Sequence, residues 1–312
     1  MFLKPLINPK PSIIIFFIVF CILFALLPLL NSEIGSVFEH SFLPPIILLL
    51  ASIIIPLFIS IGLNNLIYEK NIIRKENLVI GCVFIFLSTA FINTIDIWIS
   101  AFFMLFLFNF LLASYQKDMP FSEYYNSAII LSILTFFHPN IILFLTLFLV
   151  SGINYSNLNW RILVTILLGL ITPYIFYFMF LYLSSSLFSI PEIFNFSEIS
   201  LSDAQKLQLP IQIWIGVLII IIIFSFFELF VWLYKKSIKS RKTFLIIIWY
   251  FIIALFIVYF SGLEYFYFTI TPLAVIIGNY FVYSRNRKVA SFLFLMLVIS
   301  SFYYKYMIAY YV

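Results

Sequence analysis

Residues 126–152 read NSAIILSILTFFHPNIILFLTLFLVSG, an apolar run broken once, at His138-Pro139-Asn140. Pro139 has no backbone donor to give a helix, and the residue before a proline avoids helical geometry. The run is therefore read as a hairpin of two short helices, 126–137 and 140–152. Everything downstream depends on this split, because one unbroken helix would put all later segments on the opposite side of a membrane.

Residues 78–114 upstream pose the same question. As one helix they would extend roughly 55 Å, well beyond a bilayer core of about 30 Å. Asn93-Thr94-Ile95-Asp96 breaks them into 78–92 and 97–114. The remaining apolar segments are each near the length of one crossing: 12–30, 43–67, 162–184, 211–234, 243–260, 265–284 and 289–309. The expectation is an all-α polytopic bundle of about eleven spans, forming one integral-membrane domain over residues 1–312.

Composition agrees. Of 312 residues, 65% are hydrophobic, 21% aromatic and only 9% charged. A soluble domain carries about 25% charged residues, so a water-soluble globule is excluded, and so is a disordered chain. Lys4 and Lys10 followed by apolar residues 13–30 imitate a leader, yet no small-x-small site follows, and the segment reads as an uncleaved first span. The residues before Cys21 do not suit lipidation.

Charge sets the orientation. With the N-terminus inside and the C-terminus outside, 15 of the 17 Lys and Arg residues fall in inner segments, and only Lys206 and Lys305 lie outside. This is the positive-inside pattern of multi-span membrane proteins. Fusing 126–152 alone would leave 8 inside against 9 outside. Fusing both doubtful regions would give 14 against 3, so length rather than charge excludes nine spans. The net charge of +5 thus reports topology, and no nucleic-acid partner is expected.

The pattern resembles an uncharacterised family of bacterial inner-membrane proteins, about 300 residues long and rich in Phe and Leu. The resemblance is carried by the turn Asn93 to Asp96, a helix ending Phe108-Asn109-Phe110-Leu111-Leu112, and the hairpin at His138-Pro139-Asn140. Its most specific part is Asn159-Trp160-Arg161, opening a span that holds Gly169-Leu170-Ile171-Thr172-Pro173-Tyr174. It is strongest up to about residue 184. It implies the topology and transfers no functional residue.

The acids divide differently from the cations. Glu33, Glu39, Asp96 and Glu264 fall in outer turns together with both histidines, His40 and His138. A carboxylate there can act as a general base toward a hydroxyl, and a histidine beside it can hold a phosphate or move a proton. The alternative is that all six are ordinary solvated turn residues. The architecture is also similar to the polytopic glycosyltransferases that use polyprenyl-phosphate sugars, in which a catalytic carboxylate follows the first span. On that likeness Glu33 is the catalytic acid, with Glu39 or Asp96 as the second; from their place in the outer turns, His40, His138 and Glu264 are the substrate-binding candidates. The chain departs from those enzymes in having no adjacent acid pair, a short first outer loop and few outer cations.

Glu228 is the acid inside a span, in 211–234, and reads either as a transport site or as a structural carboxyl, protonated, hydrogen-bonded or paired with Lys235. The best functional expectation is a cell-envelope glycosyltransferase-like protein using a lipid-linked sugar at the outer face. The alternatives are a secondary transporter or a non-catalytic assembly subunit. No cofactor or metal is expected: there is no ligand spacing, no haem-type histidine pair and no Gly-rich phosphate loop. Cys21 and Cys82 read as apolar filler. Membrane lipids are the expected partners; the inner clusters 235–242 and 285–288 suit anionic headgroups. The outer loop 185–210 is expected to lie along the interface. Asn140 and Asn279 read as amides bridging helices.

Overall fold

The computed structural model describes residues 3–27, 44–88, 95–184 and 209–311. Glu33, Glu39, His40 and almost all of the 185–210 loop lie outside the described residues. The described part holds eleven α-helices and two 3₁₀ helices, with no β-strand. They are α1 (Pro11–Leu26), α2 (Pro45–Glu69), α3 (Val79–Ser88), α4 (Ile95–Ala113), α5 (Phe121–Phe137), α6 (Leu145–Tyr155), α7 (Trp160–Leu183), α8 (Leu209–Leu233), α9 (Ile238–Ser261), α10 (Tyr267–Tyr283) and α11 (Arg287–Tyr311). The 3₁₀ helices are Pro139–Phe144 and Leu263–Phe266.

Seven segments are long and apolar enough to cross a membrane: 46–69, 95–113, 160–183, 209–233, 238–261, 263–283 and 287–307. Their number and apolarity are those of a multi-span membrane protein. The other apolar helices, including the ten-residue α3, are shorter. At about 1.5 Å per residue α3 covers roughly half of a bilayer core. Helix length at the two hairpins was set by turns and buried packing, which hydropathy alone does not mark. Residues 140–152, read as one short helix, are a 3₁₀ turn followed by α6, because Pro139 begins a tighter coil. Lys305, counted with the outer cations, lies within α11, its ammonium 4.6 Å from the centre of the Phe24 ring.

The chain forms two compact units. The first comprises residues 1–98, 200–240 and 270–312. Its centre is α3, buried from Val79 to Leu87. Glycines let the backbones approach. A β-carbon on Gly81 would stand 2.8 Å from the Ser60 hydroxyl of α2, and one on Gly278 of α10 would stand 2.7 Å from Ile80. Ser60 donates to the Gly81 carbonyl at 3.1 Å. Phenylalanines finish the core: Phe24 lies 4.8 Å from Phe302 and 5.5 Å from Phe86, and Phe281 lies 5.3 Å from Phe294. Trp214 is buried in the α8–α11 seam, donating to Ser301 at 3.2 Å.

The second unit comprises residues 99–199 and 241–269. Its tightest seam joins α5 and α7. A β-carbon on Gly169 would meet Ala128 at 2.7 Å and the Tyr125 carbonyl at 2.8 Å, so only glycine permits this separation. Pro173 withholds a donor from α7, and Ser132 donates to the nearby Leu170 carbonyl at 2.6 Å. Thr135–Tyr174 at 2.9 Å and Tyr125–Thr172 at 3.3 Å complete a polar seam between two mostly apolar helices. The outer faces of α7 and α8 expose Leu167, Ile171, Phe176, Phe180, Ile220 and Phe227, as surfaces meeting lipid would.

Candidate functional site: two paired helix breaks

The polar centre of the second unit is built from two interruptions. In the first, α5 stops at Phe137 because Pro139 cannot continue it; His138 is turned out of helical geometry (φ −136, ψ 87). In the second, α9 stops at Ser261. Gly262 has φ +106, open only to glycine at low cost, and leads into the 3₁₀ turn Leu263–Phe266.

The two breaks meet. The Asn140 amide donates to the Ser261 hydroxyl at 2.6 Å. The Tyr265 hydroxyl lies 3.4 Å from His138 Nδ1, with the two rings edge to face at 5.5 Å. Phe268 covers the imidazole from a further side at 6.4 Å. His138 is buried, Tyr265 is half-buried and Glu264 is exposed. Exposure thus falls from Glu264 through Tyr265 to His138. A proton can pass between Tyr265 and His138, and the carboxylate can orient or deprotonate a hydroxyl presented from outside.

Of the residues expected to form a site, the structure brings His138 and Glu264 to one place. Asp96 lies in the first turn of α4, exposed, where a carboxylate suits the positive helix end. Glu228 is half-buried in α8 within electrostatic reach of Tyr280, and no ion pair joins it to Lys235. Asn140 bridges two helices as expected; Asn279 is wholly buried in α10 without a hydrogen bond among the described residues. Tyr265 and Ser261 escaped the sequence reading. Their one local signal was the Ser261-Gly262 pair ending an apolar run.

The opposite end of α5, roughly 25 Å away at 1.5 Å per residue, is a second polar cluster. The buried Tyr124 hydroxyl bonds Ser151 at 3.2 Å and Asn157 at 3.1 Å, and Asn157 donates to the Ser114 carbonyl at 3.1 Å. Lys117 pairs with Glu123, whose other oxygen accepts from Ser122 at 3.0 Å. Burial pushes the Glu123 carboxyl up, but the hydrogen bonds from Lys117, its own backbone and Ser122, with the Lys117 charge, outweigh it and hold the carboxyl below its ordinary value. A cleft of about 720 Å³ opens beside them, lined by Gln116, Asp118, Asn157 and Asn159 among others.

No curated protein and no solved structure matches the chain. A family model described as a family of unknown function, DUF6427, matches residues 1–311, which includes the part of the chain beyond residue 184 where the resemblance was weaker. The Asn159 side chain caps α7 by accepting from Ile162 at 2.9 Å, which gives the Asn159-Trp160-Arg161 signature a structural role. With that match running nearly end to end, the chain is a member of the DUF6427 family of unknown function.

Proposed function

We propose that the chain is a multi-pass protein of a bacterial cytoplasmic membrane, with its N-terminus inside, that acts at its outer face on a lipid-linked sugar. The paired helix breaks carry this reading: irregular backbone at such a place is tolerated where it lines a cavity or a binding site. They gather His138, Tyr265, Asn140 and Ser261 beside the exposed Glu264. Amide, hydroxyl and carboxylate groups suit the hydroxyls of a sugar, and a lipid-bound donor reaches such a site along the membrane. Glu264 takes the proton of an acceptor hydroxyl as the hydroxyl oxygen attacks the anomeric carbon, the bond from that carbon to the phosphate oxygen breaks, and the polyprenyl phosphate leaves with the electron pair; Tyr265 with His138 relays the proton. By the charge rule Glu33, Glu39, His40 and Asp96 also belong to the outer side, Glu33 and Glu39 as further acids.

The test uses the full chain in nanodiscs with radiolabelled polyprenyl-phosphate sugars. With an acceptor carrying free sugar hydroxyls supplied alongside, wild type should consume the donor and release polyprenyl phosphate. Glu264→Gln and Tyr265→Phe should each lower the rate roughly a hundredfold while leaving the thermal unfolding midpoint unchanged. No consumption by wild type, or full activity in both variants, would defeat the proposal.

A further inference from the structure

The first unit carries a group of cations that the outer site leaves unused. The turn between α2 and α3 is pinned from below by Ile72 and Ile73, both buried. Its backbone is fixed on the N-terminal segment: Asn8 donates to the Glu76 carbonyl at 3.0 Å, and Leu78 to the Leu6 carbonyl at 2.9 Å. Asn77 then caps α3 by accepting from Val79 at 3.1 Å. Arg74 and Lys75 are thereby held outward on a rigid base.

Lys236 comes to the same place from the turn between α8 and α9. Its ammonium stands 4.4 Å from the centre of the Tyr283 ring and 5.0 Å from that of Trp232. Lys75 stands 5.2 Å from the centre of the same Tyr283 ring. One phenol thus seats two ammonium groups, with Arg74 within electrostatic reach of its hydroxyl. The corner is fixed by Arg287, which donates to the Phe281 and Val282 carbonyls at 3.1 and 3.0 Å.

No described carboxylate comes within 4.0 Å of Arg74, Lys75 or Lys236. The neighbouring Glu76 accepts from the Tyr68 hydroxyl at 3.2 Å. Burial, then the Arg74 and Lys75 charges, hold the Lys236 ammonium below its ordinary value. Three cations held together against their repulsion, none of them ion-paired to a described carboxylate, offer a site for an external anion.

The position selects the anion. Lys75 lies in the turn after α2, which ends at Glu69, Lys236 lies just past the end of α8 at Leu233, and Tyr283 closes α10. Each of these segments is long and apolar enough to cross a membrane. A Trp and a Tyr at such ends lie at headgroup depth, where anionic lipid phosphates meet basic side chains. We infer that Arg74, Lys75 and Lys236, arrayed on Tyr283 and Trp232, bind the phosphate of an anionic phospholipid headgroup. The acyl chains then lie along the apolar ends of α2 and α8.

The full-length protein is purified in neutral detergent, and retained phosphatidylglycerol is counted by native mass spectrometry against phosphatidylcholine. Wild type should prefer phosphatidylglycerol. Lys75→Gln with Lys236→Gln should lose roughly tenfold or more of that preference. Lys4→Gln with Arg241→Gln, an equal loss of charge elsewhere, should lose less than about twofold. Lys75→Arg with Lys236→Arg keeps the charges and should retain the preference, which separates binding from a folding defect in the Gln pair. Equal loss in both Gln pairs, or an unchanged preference in the site pair, overturns the site. Displacement by inorganic phosphate at a concentration equal to that of the lipid overturns the lipid assignment in favour of a free anion.

Discussion

Gly262 has φ +106 and nothing within 4 Å of where a β-carbon would stand. Substitution there meets no steric wall, so its cost is purely conformational. Gly262→Ala should destabilise by about 1–2 kcal/mol. Gly216, in the middle of α8, also has open space around it but has regular helical geometry. Gly216→Ala should be neutral or stabilising by up to about 1 kcal/mol. Thermal unfolding in one detergent checks both, and equal effects would show that the Gly262 backbone does not need its unusual angle. Glu123 offers a sign test at the same scale. Its folded-state carboxyl lies below the ordinary value, so its contribution to stability is present above the unfolded value and is lost as pH falls through the folded one. Acidification from pH about 7 to about 3 should lower the wild-type midpoint more than that of Glu123→Gln. A larger drop in the variant would reverse the assigned sign.

At the scale of elements, the α5–α7 seam is the sharpest case, because both its closeness and its polarity rest on a few side chains. Gly169→Leu places atoms where Ala128 and the Tyr125 carbonyl already stand. Separating the helices also breaks the Ser132–Leu170 and Thr135–Tyr174 bonds. The expected loss is roughly 2–4 kcal/mol, combining overpacking with lost interhelical bonds, and Ala128→Gly should recover part of it in the double variant. No recovery would mean that the two residues do not share a contact. The break at Pro139 was legible in the sequence because proline marks its effect within one residue. The length of α3 was not, because burial by α2 and α10 through Gly81 and Gly278 is a tertiary fact. Tyr265 shows the same limit. With 20 tyrosines in the chain, nothing local singles one out, and its partner His138 is 127 residues away.

For the whole molecule, the number of crossings and their direction are separate questions. Seven segments have the length and apolarity to cross, whereas α3 and α6 have only ten and eleven residues. A short helix can still take part in a crossing when protein rather than lipid satisfies its terminal backbone groups, as Asn77 does at the start of α3. On the proposed threading the turns holding Lys75 and Lys236 face the cytoplasm, and the turn holding Glu264 faces outward. The charge rule needs the hairpin at His138 to reverse the chain; without it, the turns holding Lys236 and Glu264 would exchange sides. Single cysteines decide this in a background carrying Cys21→Ala and Cys82→Ala. In intact cells a membrane-impermeant maleimide should modify Glu264→Cys. It should reach Lys75→Cys and Lys236→Cys only after the membrane is opened. Labelling of Lys236→Cys from outside, with Lys75→Cys still protected, would mean that the chain passes the His138 hairpin without turning back. The outer sugar site would then be lost, while the cations on Tyr283 would no longer come from turns on a single side.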